Sequence, residues 1–258
     1  MALVAVDGLS KKPFLDEILG LIRRDEVEAW PAQDILTWAV KKFHPRLTLS
    51  SSFGAPEGMI LIDMLHAIDP TTRIFVLDTG RLHSATYDLI DRVRDRYGKQ
   101  VDVVFPDAGE VQAMVRAKGV NSFYESVENR KLCCQIRKVL PMRRHLADFD
   151  AYVTGLRRDQ NLNRAETRKL AIDPGMGGIV KLAPLADWTH ERVLEYVGEH
   201  KVPVNRLHRE GYPSVGCEPC TRAIGPGDDP RAGRWWWESD GVKECGIHVQ
   251  AESDGSGI

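Results

Sequence analysis

Short apolar runs rich in β-branched residues alternate along this chain with stretches in which apolar residues recur every three or four positions. The runs predict strands and the stretches predict helices, and their alternation is typical of a parallel sheet built from βαβ units. The predicted strands are 47–52, 73–78, 101–105, 151–155 and, at an edge of the sheet, 179–185. The predicted helices are 31–43, 58–67, one through Tyr87, Ile90 and Val93, and 188–200.

The pattern changes after Pro203, where Gly, Pro, Trp and Arg dominate and regular periodicity stops. We therefore expect an α/β fold over residues 1–203, a doubly wound and mostly parallel sheet with flanking helices. Residues 204–258 are predicted to form an irregular, mobile C-terminal segment that carries function and has no second core.

Composition narrows the class of protein only slightly. The chain has 258 residues, 43% of them hydrophobic, and 35 basic against 37 acidic residues give a net charge of -2. Such a balance gives no sign of nucleic-acid or membrane binding. The N-terminus lacks the pattern of a signal peptide, and no window approaches eighteen apolar residues, so a cytoplasmic protein is expected.

The five cysteines are the most informative residues. Cys133 and Cys134 are adjacent, and their Cα atoms are about 3.8 Å apart where a disulfide needs roughly 4.4–6.8 Å, so a bond between them would be strained. Together with the Cys-x-x-Cys of Cys217 and Cys220 they are typical of a soft metal centre. Either zinc or an iron-sulfur cluster could occupy this site. The cluster is favoured because zinc ligands are usually spaced by two to four residues, unlike the adjacent pair.

Two predicted strands end in loops that suit a ligand. Residues 50–58, SSSFGAPEG, lead into a helix and offer N–H groups to a phosphate or sulfate, although serine-rich turns also occur without ligands and no Walker A ending is present. The residues expected to bind there are Ser50, Ser52, Phe53 and Gly54. In residues 77–83, LDTGRLH, Asp78 and Thr79 either bind a ribose or base or merely cap a turn.

A third loop follows the predicted strand 151–155. It contains Gly155 and the string RRDQ, and Arg164 lies shortly after it. Arginine runs are most often solvated surface, so the placement at a strand end matters more than the number of charges. Three such loops at the ends of parallel strands favour a nucleotide site.

Cations also accompany the cysteines. If KLCCQIRKVL is helical, Arg137 lies four residues after Cys133 and Lys138 four after Cys134, so each thiolate has a cation on its own face of the helix. The alternative is two bases on the surface of an amphipathic helix.

The fifth cysteine has different surroundings. Cys245 lies near Lys243 and His248, which can stabilise a nucleophilic thiolate. Arg231 and Arg234 lie beside three tryptophans and can neutralise an oxyanion that a thiolate must approach. Alternatively, their side-chain stems pack at the border of a buried aromatic cluster and have a structural role.

These motifs resemble the assimilatory adenylyl-sulfate (APS) reductases, within the wider phosphoadenylyl-sulfate reductase family. The likeness covers roughly residues 50–248 and rests on SSFGA, LDTGRLH, GLRRDQ, KLCC, REGYPSVGCEPCTR, DPRAGRW and KECGIH, in that order. It implies an adenine-nucleotide alpha-hydrolase-like sheet. It also implies that a 4Fe-4S cluster is bound by Cys133, Cys134, Cys217 and Cys220.

The resemblance further implies that Cys245 attacks the sulfur of APS, that AMP leaves, and that thioredoxin or glutaredoxin releases sulfite from the S-sulfocysteine. It also implies that the cluster organises the site and passes no electrons. The residues implied at the substrate or its sulfate are Lys138, Arg164, Arg231, Arg234 and His248. The chain carries no fused thioredoxin-like domain, so a separate reductant is expected, and a homo-oligomer is possible.

This chain departs from the family pattern at two positions. Arg168 competes with Arg164 because NRAETR replaces the usual Thr-Arg-Ala, and Pro56-Glu57 stand where relatives have two acids. The four-cysteine set favours APS over its 3′-phosphorylated form, PAPS, although some relatives use both.

Two rival functions remain open from the sequence. An ATP-pyrophosphatase-type adenylyltransferase would use the same sheet, but it needs a glycine-richer loop and has no use for KECGIH. A non-catalytic metal-binding module would need only the four ligands.

Overall fold

A six-stranded sheet forms the centre of the computed structural model, which describes residues 12–238 and Ile247. The strands are β1 Leu47–Ser50, β2 Arg73–Leu77, β3 Asp102–Val104, β4 Ala151–Thr154, β5 Leu170–Asp173 and β6 Ile179–Leu182. Their order in the sheet is β3-β2-β1-β4-β6-β5.

The chain winds outward from β1 in two directions. β2 and β3 lie on one side of β1, and β4, β6 and β5 lie on the other. Every pairing is parallel except that between β5 and β6, and Thr48 of β1 stands opposite both Arg73 and Tyr152. The order therefore reverses between β1 and β4, which is the topological switch point where open α/β sheets bind ligands.

The predicted α/β class and the doubly wound sheet are confirmed. One strand assignment was wrong: β6 does not lie at the edge of the sheet, because it pairs with β4 on one side and with β5 on the other. The edge is β5, which the sequence pattern did not indicate. Only Leu170 of its four residues is buried, so β5 lacks the apolar run that marks the inner strands.

Eight α-helices flank the sheet in the described part of the chain. They are α1 Leu15–Arg23, α2 Ala32–Phe43, α3 Pro56–Ile68, α4 Ser84–Tyr97, α5 Ala108–Lys118, α6 Val127–Cys134, α7 Leu140–Leu146 and α8 His190–Glu199. The four helices predicted by periodicity correspond to α2, α3, α4 and α8. Helix α3 buries Met59 to Ile62 without a break, because it packs against β1, α2 and α8. Each large apolar side chain buried this way contributes about 1.5–3 kcal/mol.

The adjacent cysteines end α6, and the helix then widens into a π turn, Gln135–Val139, before α7. Pro141 explains the position of this turn. Proline has no N–H to donate, and its ring clashes with the carbonyl four residues earlier, that of Arg137, in a regular α-helix. The predicted helix is therefore present with a π turn inside it, and Arg137 and Lys138 line the same cavity as Cys133 and Cys134.

The predicted irregular segment is irregular over its described part, 204–238. It contains only short 3₁₀ turns, among them Arg206–Glu210 and Glu218–Cys220. Isolated bridges join Leu82 to Cys217 and Thr221 to Arg234. The segment thus packs against the loop after β2, which brings the Cys-x-x-Cys to the sheet.

Candidate active site

The loops that follow β1 and β4 line a cleft of about 700 Å³, which we call the switch-point cleft. This volume is in the range of small-molecule sites. The predicted site residues that line it are Ser50, Ser52, Gly54, Thr79, Lys138, Gly155, Arg164, Arg231 and Arg234. The loops that carry these residues lie close together because parallel strands end at one edge of the sheet.

The loop after β1 is held in shape by its own serines. The Ser51 and Ser52 hydroxyls accept hydrogen bonds from the backbone N–H groups of Phe53 and Gly54, each at 3.3 Å. Gly54 is required here, because a Cβ would stand 2.6 Å from the carbonyl oxygen of Val215. Pro56 opens α3 with a fixed φ, and the first turn of this helix lines the cleft, where a helix N-terminus stabilises an anion.

The structure does not bring Phe53 and Asp78 to the cleft wall. The ring of Phe53 is fully buried in the core. The Asp78 carboxylate accepts hydrogen bonds from the Tyr87 hydroxyl at 3.0 Å and from the Gly80 N–H at 2.8 Å. Asp78 therefore caps a turn, which is the alternative that its sequence context left open.

The loop after β4 is joined to α3 by a buried ion pair. Arg157 Nε donates to Glu57 Oε1 at 2.7 Å, and Gln160 Nε2 donates to the same oxygen at 3.0 Å. Gly155 lies directly beneath, where a Cβ would stand 2.9 Å from that of Glu57. Gln160 Oε1 in turn accepts from Arg164 at 2.5 Å, so the network orients this arginine in the cleft.

Arg164 and Arg168 lie in different places. Arg168 donates to the Ile22 carbonyl at 2.9 Å and pairs with Asp25, at the C-terminal end of α1. Arg164 lines the switch-point cleft.

The end of the cleft beside Trp235 is cationic, because Lys138, Arg231 and Arg234 line it there. Arg164 is a further cation of the cleft wall, held by Gln160. Arg234 is 6% exposed, and its guanidinium lies 4.6 Å from the Trp235 ring centre. Its Nε donates to the Cys220 carbonyl at 3.3 Å. Gly216 makes room for it, because a Cβ there would stand 2.4 Å from Arg234 Nη2.

The four cysteines Cys133, Cys134, Cys217 and Cys220 line a second, smaller space, which we call the cysteine cavity. Arg81, Arg130, Arg137, Lys138 and Trp235 are among its other lining residues. The Thr79 hydroxyl lies 3.2 Å from Cys217 Sγ. Trp235 and Lys138 line both spaces, so the cysteine cavity and the cationic end of the switch-point cleft share a wall.

The cysteine cavity disfavours thiolates in the absence of a bound cation. Burial, with the neighbouring Cys217, raises the pKa of the Cys220 thiol to about 12. Burial also raises the pKa of Cys133, and Arg137, Arg81 and Lys138 only partly oppose it. A bound metal centre reverses this balance, because its positive charge stabilises thiolate ligands.

The cysteine cavity combines soft sulfur donors with buried N–H groups. Within residues 12–238 no three Cys, His, Asp or Glu side chains stand in an arrangement that would hold a metal ion. Arg137 Nε and Trp235 Nε1 are buried at the cavity without a partner among the described residues, and N–H groups suit thiolate or sulfide acceptors.

A buried ion pair connects the cysteine helix to the end of the described chain. Arg130, one turn before the cysteines on α6, donates to Glu238 through Nε at 2.8 Å and Nη2 at 3.0 Å. The two side chains are 2% and 4% exposed, and the Arg130 guanidinium also lies 4.7 Å from the Trp235 ring centre.

The predicted nucleophile Cys245 and the predicted substrate ligand His248 lie outside the described residues. Ile247 is described, and it lines the switch-point cleft. In the described ranges no helix has the length and apolar character needed to span a membrane.

Sequence reasoning missed Glu57, Arg157 and the Arg130–Glu238 pair as parts of the site. The string RRDQ already drew attention to Arg157. Nothing in the sequence separates a buried Glu57 from a solvated one, because the partner that holds it is a hundred residues away.

Comparison with known proteins agrees with this architecture. Residues 46–223 match the phosphoadenosine phosphosulfate reductase domain. The chain is 50% identical to adenosine 5'-phosphosulfate reductase of Burkholderia cepacia, over 84% of this chain and 86% of that protein. A phosphoadenylyl-sulfate reductase of Candida auris, solved with phosphate, superposes with a TM-score of 0.64 at 26% identity, covering 87% of this chain and 99% of that one.

More distant structures share only the fold. Yeast FAD synthetase superposes with a TM-score of 0.52 at 12% identity, over 83% of this chain and 70% of that one. The family model spans more than half of the sequence, and the Burkholderia relative is matched over most of its length. The chain belongs to the phosphoadenosine phosphosulfate reductase family.

Proposed function

We propose that the chain is an adenylyl-sulfate reductase that converts APS to sulfite and AMP with electrons from a thioredoxin or glutaredoxin. The observation that carries the proposal is the cationic end of the switch-point cleft, which shares Lys138 and Trp235 with the cysteine cavity. A nucleotide held by the β1 and β4 loops would direct its phosphosulfate toward these cations. The similarity to relatives named adenosine 5'-phosphosulfate reductase supports the same substrate.

The reaction needs a nucleophile that the cations make effective. We assign this role to Cys245, which stands two positions before Ile247 of the cleft wall. Its thiolate attacks the sulfate sulfur and forms an S–S bond, while the S–O bond to AMP breaks and AMP leaves with the electron pair. Lys138, Arg231 and Arg234 neutralise the oxyanions that would otherwise repel the thiolate.

Release of sulfite completes the cycle. One thiol of the reductant attacks Cys245 Sγ and displaces sulfite, which takes the electron pair of the S–S bond. The second thiol of the reductant then cleaves the mixed disulfide and restores the Cys245 thiol. The two electrons come from the dithiol, which ends as a disulfide.

We further propose that Cys133, Cys134, Cys217 and Cys220 hold a 4Fe-4S cluster. When bound, the cluster supplies positive charge that keeps the four thiols deprotonated. Thr79, Arg137 and Trp235 would orient it with their hydrogen-bonding groups. These thiols favour a reducing compartment such as the cytoplasm.

The test is sulfite release from APS and from PAPS, in the presence of thioredoxin, by the anaerobically purified protein. We expect turnover of APS, no turnover by Cys245→Ser, and about four irons and four sulfides per chain in both proteins, as expected of a cubane cluster. Sulfite formation by the Cys245→Ser protein would refute the nucleophile. A colourless protein with one zinc would refute the cluster.

A further inference from the structure

Phe53, in the loop after β1, has a backbone conformation that its residue type disfavours. Its φ is 53°, in the left-handed region that bulky residues rarely adopt. A glycine would adopt this conformation without strain, but the Phe53 ring is fully buried in the core, where a glycine would leave a cavity. The loop that lines the switch-point cleft therefore contains a strained residue that surrounding contacts must hold in place.

Asn205 supplies such a contact from the C-terminal segment. Its side chain is 2% exposed, and its Nδ2 donates to the Phe53 carbonyl at 3.0 Å and to the Thr86 hydroxyl oxygen at 3.3 Å. Its Oδ1 accepts from the Leu207 N–H at 3.1 Å and so caps the turn Arg206–Glu210. The two ends of one buried amide thus have separable tasks: one holds the β1 loop and the other caps a turn.

The direction of the Phe53 carbonyl decides what the loop offers to a ligand. In a trans peptide the carbonyl and the following N–H point in opposite directions, so a fixed Phe53 carbonyl also fixes the Gly54 N–H. That N–H donates to the Ser52 hydroxyl at 3.3 Å, and Ser52 and Gly54 both line the cleft. The polar groups of the loop are therefore oriented by a contact on its far side.

We propose that Asn205 is a positioning residue, which holds the β1 loop in its strained, ligand-binding conformation through the Phe53 carbonyl. This inference rests on the proposed function, in which the β1 loop holds the nucleotide. Without the contact the strained loop relaxes, and the apparent dissociation constant rises as the fraction of protein in the binding conformation falls. The C-terminal segment then contributes to nucleotide affinity as well as to the cysteine cavity.

The test is Asn205→Ser, with AMP binding to the cluster-loaded protein measured by calorimetry. Serine is a good N-cap and still accepts from the Leu207 N–H, but its side chain is too short to reach Phe53. We expect AMP affinity to fall about tenfold, which corresponds to a binding conformation in about one tenth of the molecules. Saturating APS should restore kcat to within about twofold, so that KM rises while kcat is kept. Unchanged AMP affinity would overturn the proposal, as would a lower kcat with unchanged KM.

Asn205→Asp is a second variant, which keeps the shape of the side chain and the cap. It replaces the donor that faces Phe53 with an acceptor, so AMP affinity should fall by at least as much as in Asn205→Ser. Affinity equal to that of the wild type would show that capping the turn is the whole role of Asn205 and would overturn the proposal.

Asp107→Ala is the matched control for general destabilisation. Asp107 caps α5 by accepting from the Glu110 N–H at 2.9 Å, and it lies outside the lining of the cleft. Loss of this cap lowers stability but should leave AMP affinity within about twofold of the wild type. Equal losses of affinity in Asp107→Ala and Asn205→Ser would refute the positioning role. A failure of the proposed function is distinguishable, because it would appear as absence of sulfite from APS with the wild-type protein.

Discussion

The buried pair between Arg130 and Glu238 gives a quantitative prediction for Glu238→Gln. Both side chains are almost fully excluded from water, and the contact is bidentate at 2.8 and 3.0 Å. Removing the carboxylate of such a pair leaves the buried guanidinium without its counter-ion and costs about 3–5 kcal/mol. For a chain of this size the melting temperature should fall by roughly 6–20 °C.

The assay is thermal unfolding of the cluster-loaded protein, followed by circular dichroism, for the wild type and two variants. Glu210→Gln is the matched control, because Glu210 pairs with Arg206 at 3.1 Å while both side chains are about half exposed. Exposed pairs are worth only about 0–1 kcal/mol, so this change should lower the melting temperature by at most a few degrees. Similar shifts for the two variants would refute the reasoning.

A double variant separates the effect of the missing counter-ion from the effect of lost packing. In Arg130→Met with Glu238→Gln no unpaired ion is buried, so part of the stability lost in Glu238→Gln should return. If the double variant is less stable than Glu238→Gln, the loss comes from packing around the Trp235 ring, which Arg130 also contacts.

Three further changes test other parts of the structure. Cys217→Ser should lower the iron content of the purified protein and its visible absorbance, and unchanged values would exclude Cys217 as a ligand. Gly155→Ala would place a Cβ 2.9 Å from the Cβ of Glu57. It should lower the free energy of unfolding by about 1–3 kcal/mol in urea titration and weaken AMP binding. Unchanged AMP affinity would contradict the contact. Burial lowers the pKa of the His145 imidazole, so the folded state binds fewer protons than the unfolded state. The resulting contribution to the free energy of unfolding is present above about pH 6.5 and is lost as the pH falls. His145→Phe should therefore lessen the decline in urea stability between pH 7 and 5.5, and an equally steep decline would contradict this.

The inner strands of the sheet could be predicted from sequence because they are buried on both faces. The apolar runs of β1, β2, β4 and β6 give a signal that needs no knowledge of neighbours. Strand β3, at one edge, was still predicted from its run of valines. Strand β5, at the other edge, gave no such signal, because Leu170 is its only buried residue and its pairing with β6 is not visible in one segment.

The site was predictable in its location and less so in its side-chain roles. Parallel strands end together, so residues such as Gly54 and Gly155 could be placed in one site from their strands alone. The choice between Arg164 and Arg168 could not be made, since it depends on Asp25, which belongs to a distant part of the chain. Arg137 and Lys138 lie in one cavity with the cysteines, as their spacing indicated, whereas the π turn before Pro141 was not predicted.

Trp235 connects the two spaces that the C-terminal segment lines, the switch-point cleft and the cysteine cavity. Its indole ring lies between the switch-point cleft and the cysteine cavity, and Arg130 and Arg234 have their guanidinium groups within 4.7 and 4.6 Å of the ring centre. The backbone at Trp235 has a φ of 43°, a left-handed conformation that costs a non-glycine residue energy and persists only when surrounding contacts fix it. Packing around the four cysteines supplies those contacts, through the hydrogen bond from the Trp235 N–H to the Cys220 carbonyl at 3.3 Å. Arg234 contacts both the Trp235 ring and the Cys220 carbonyl, so a change in the cysteine cavity should also shift this cation of the switch-point cleft.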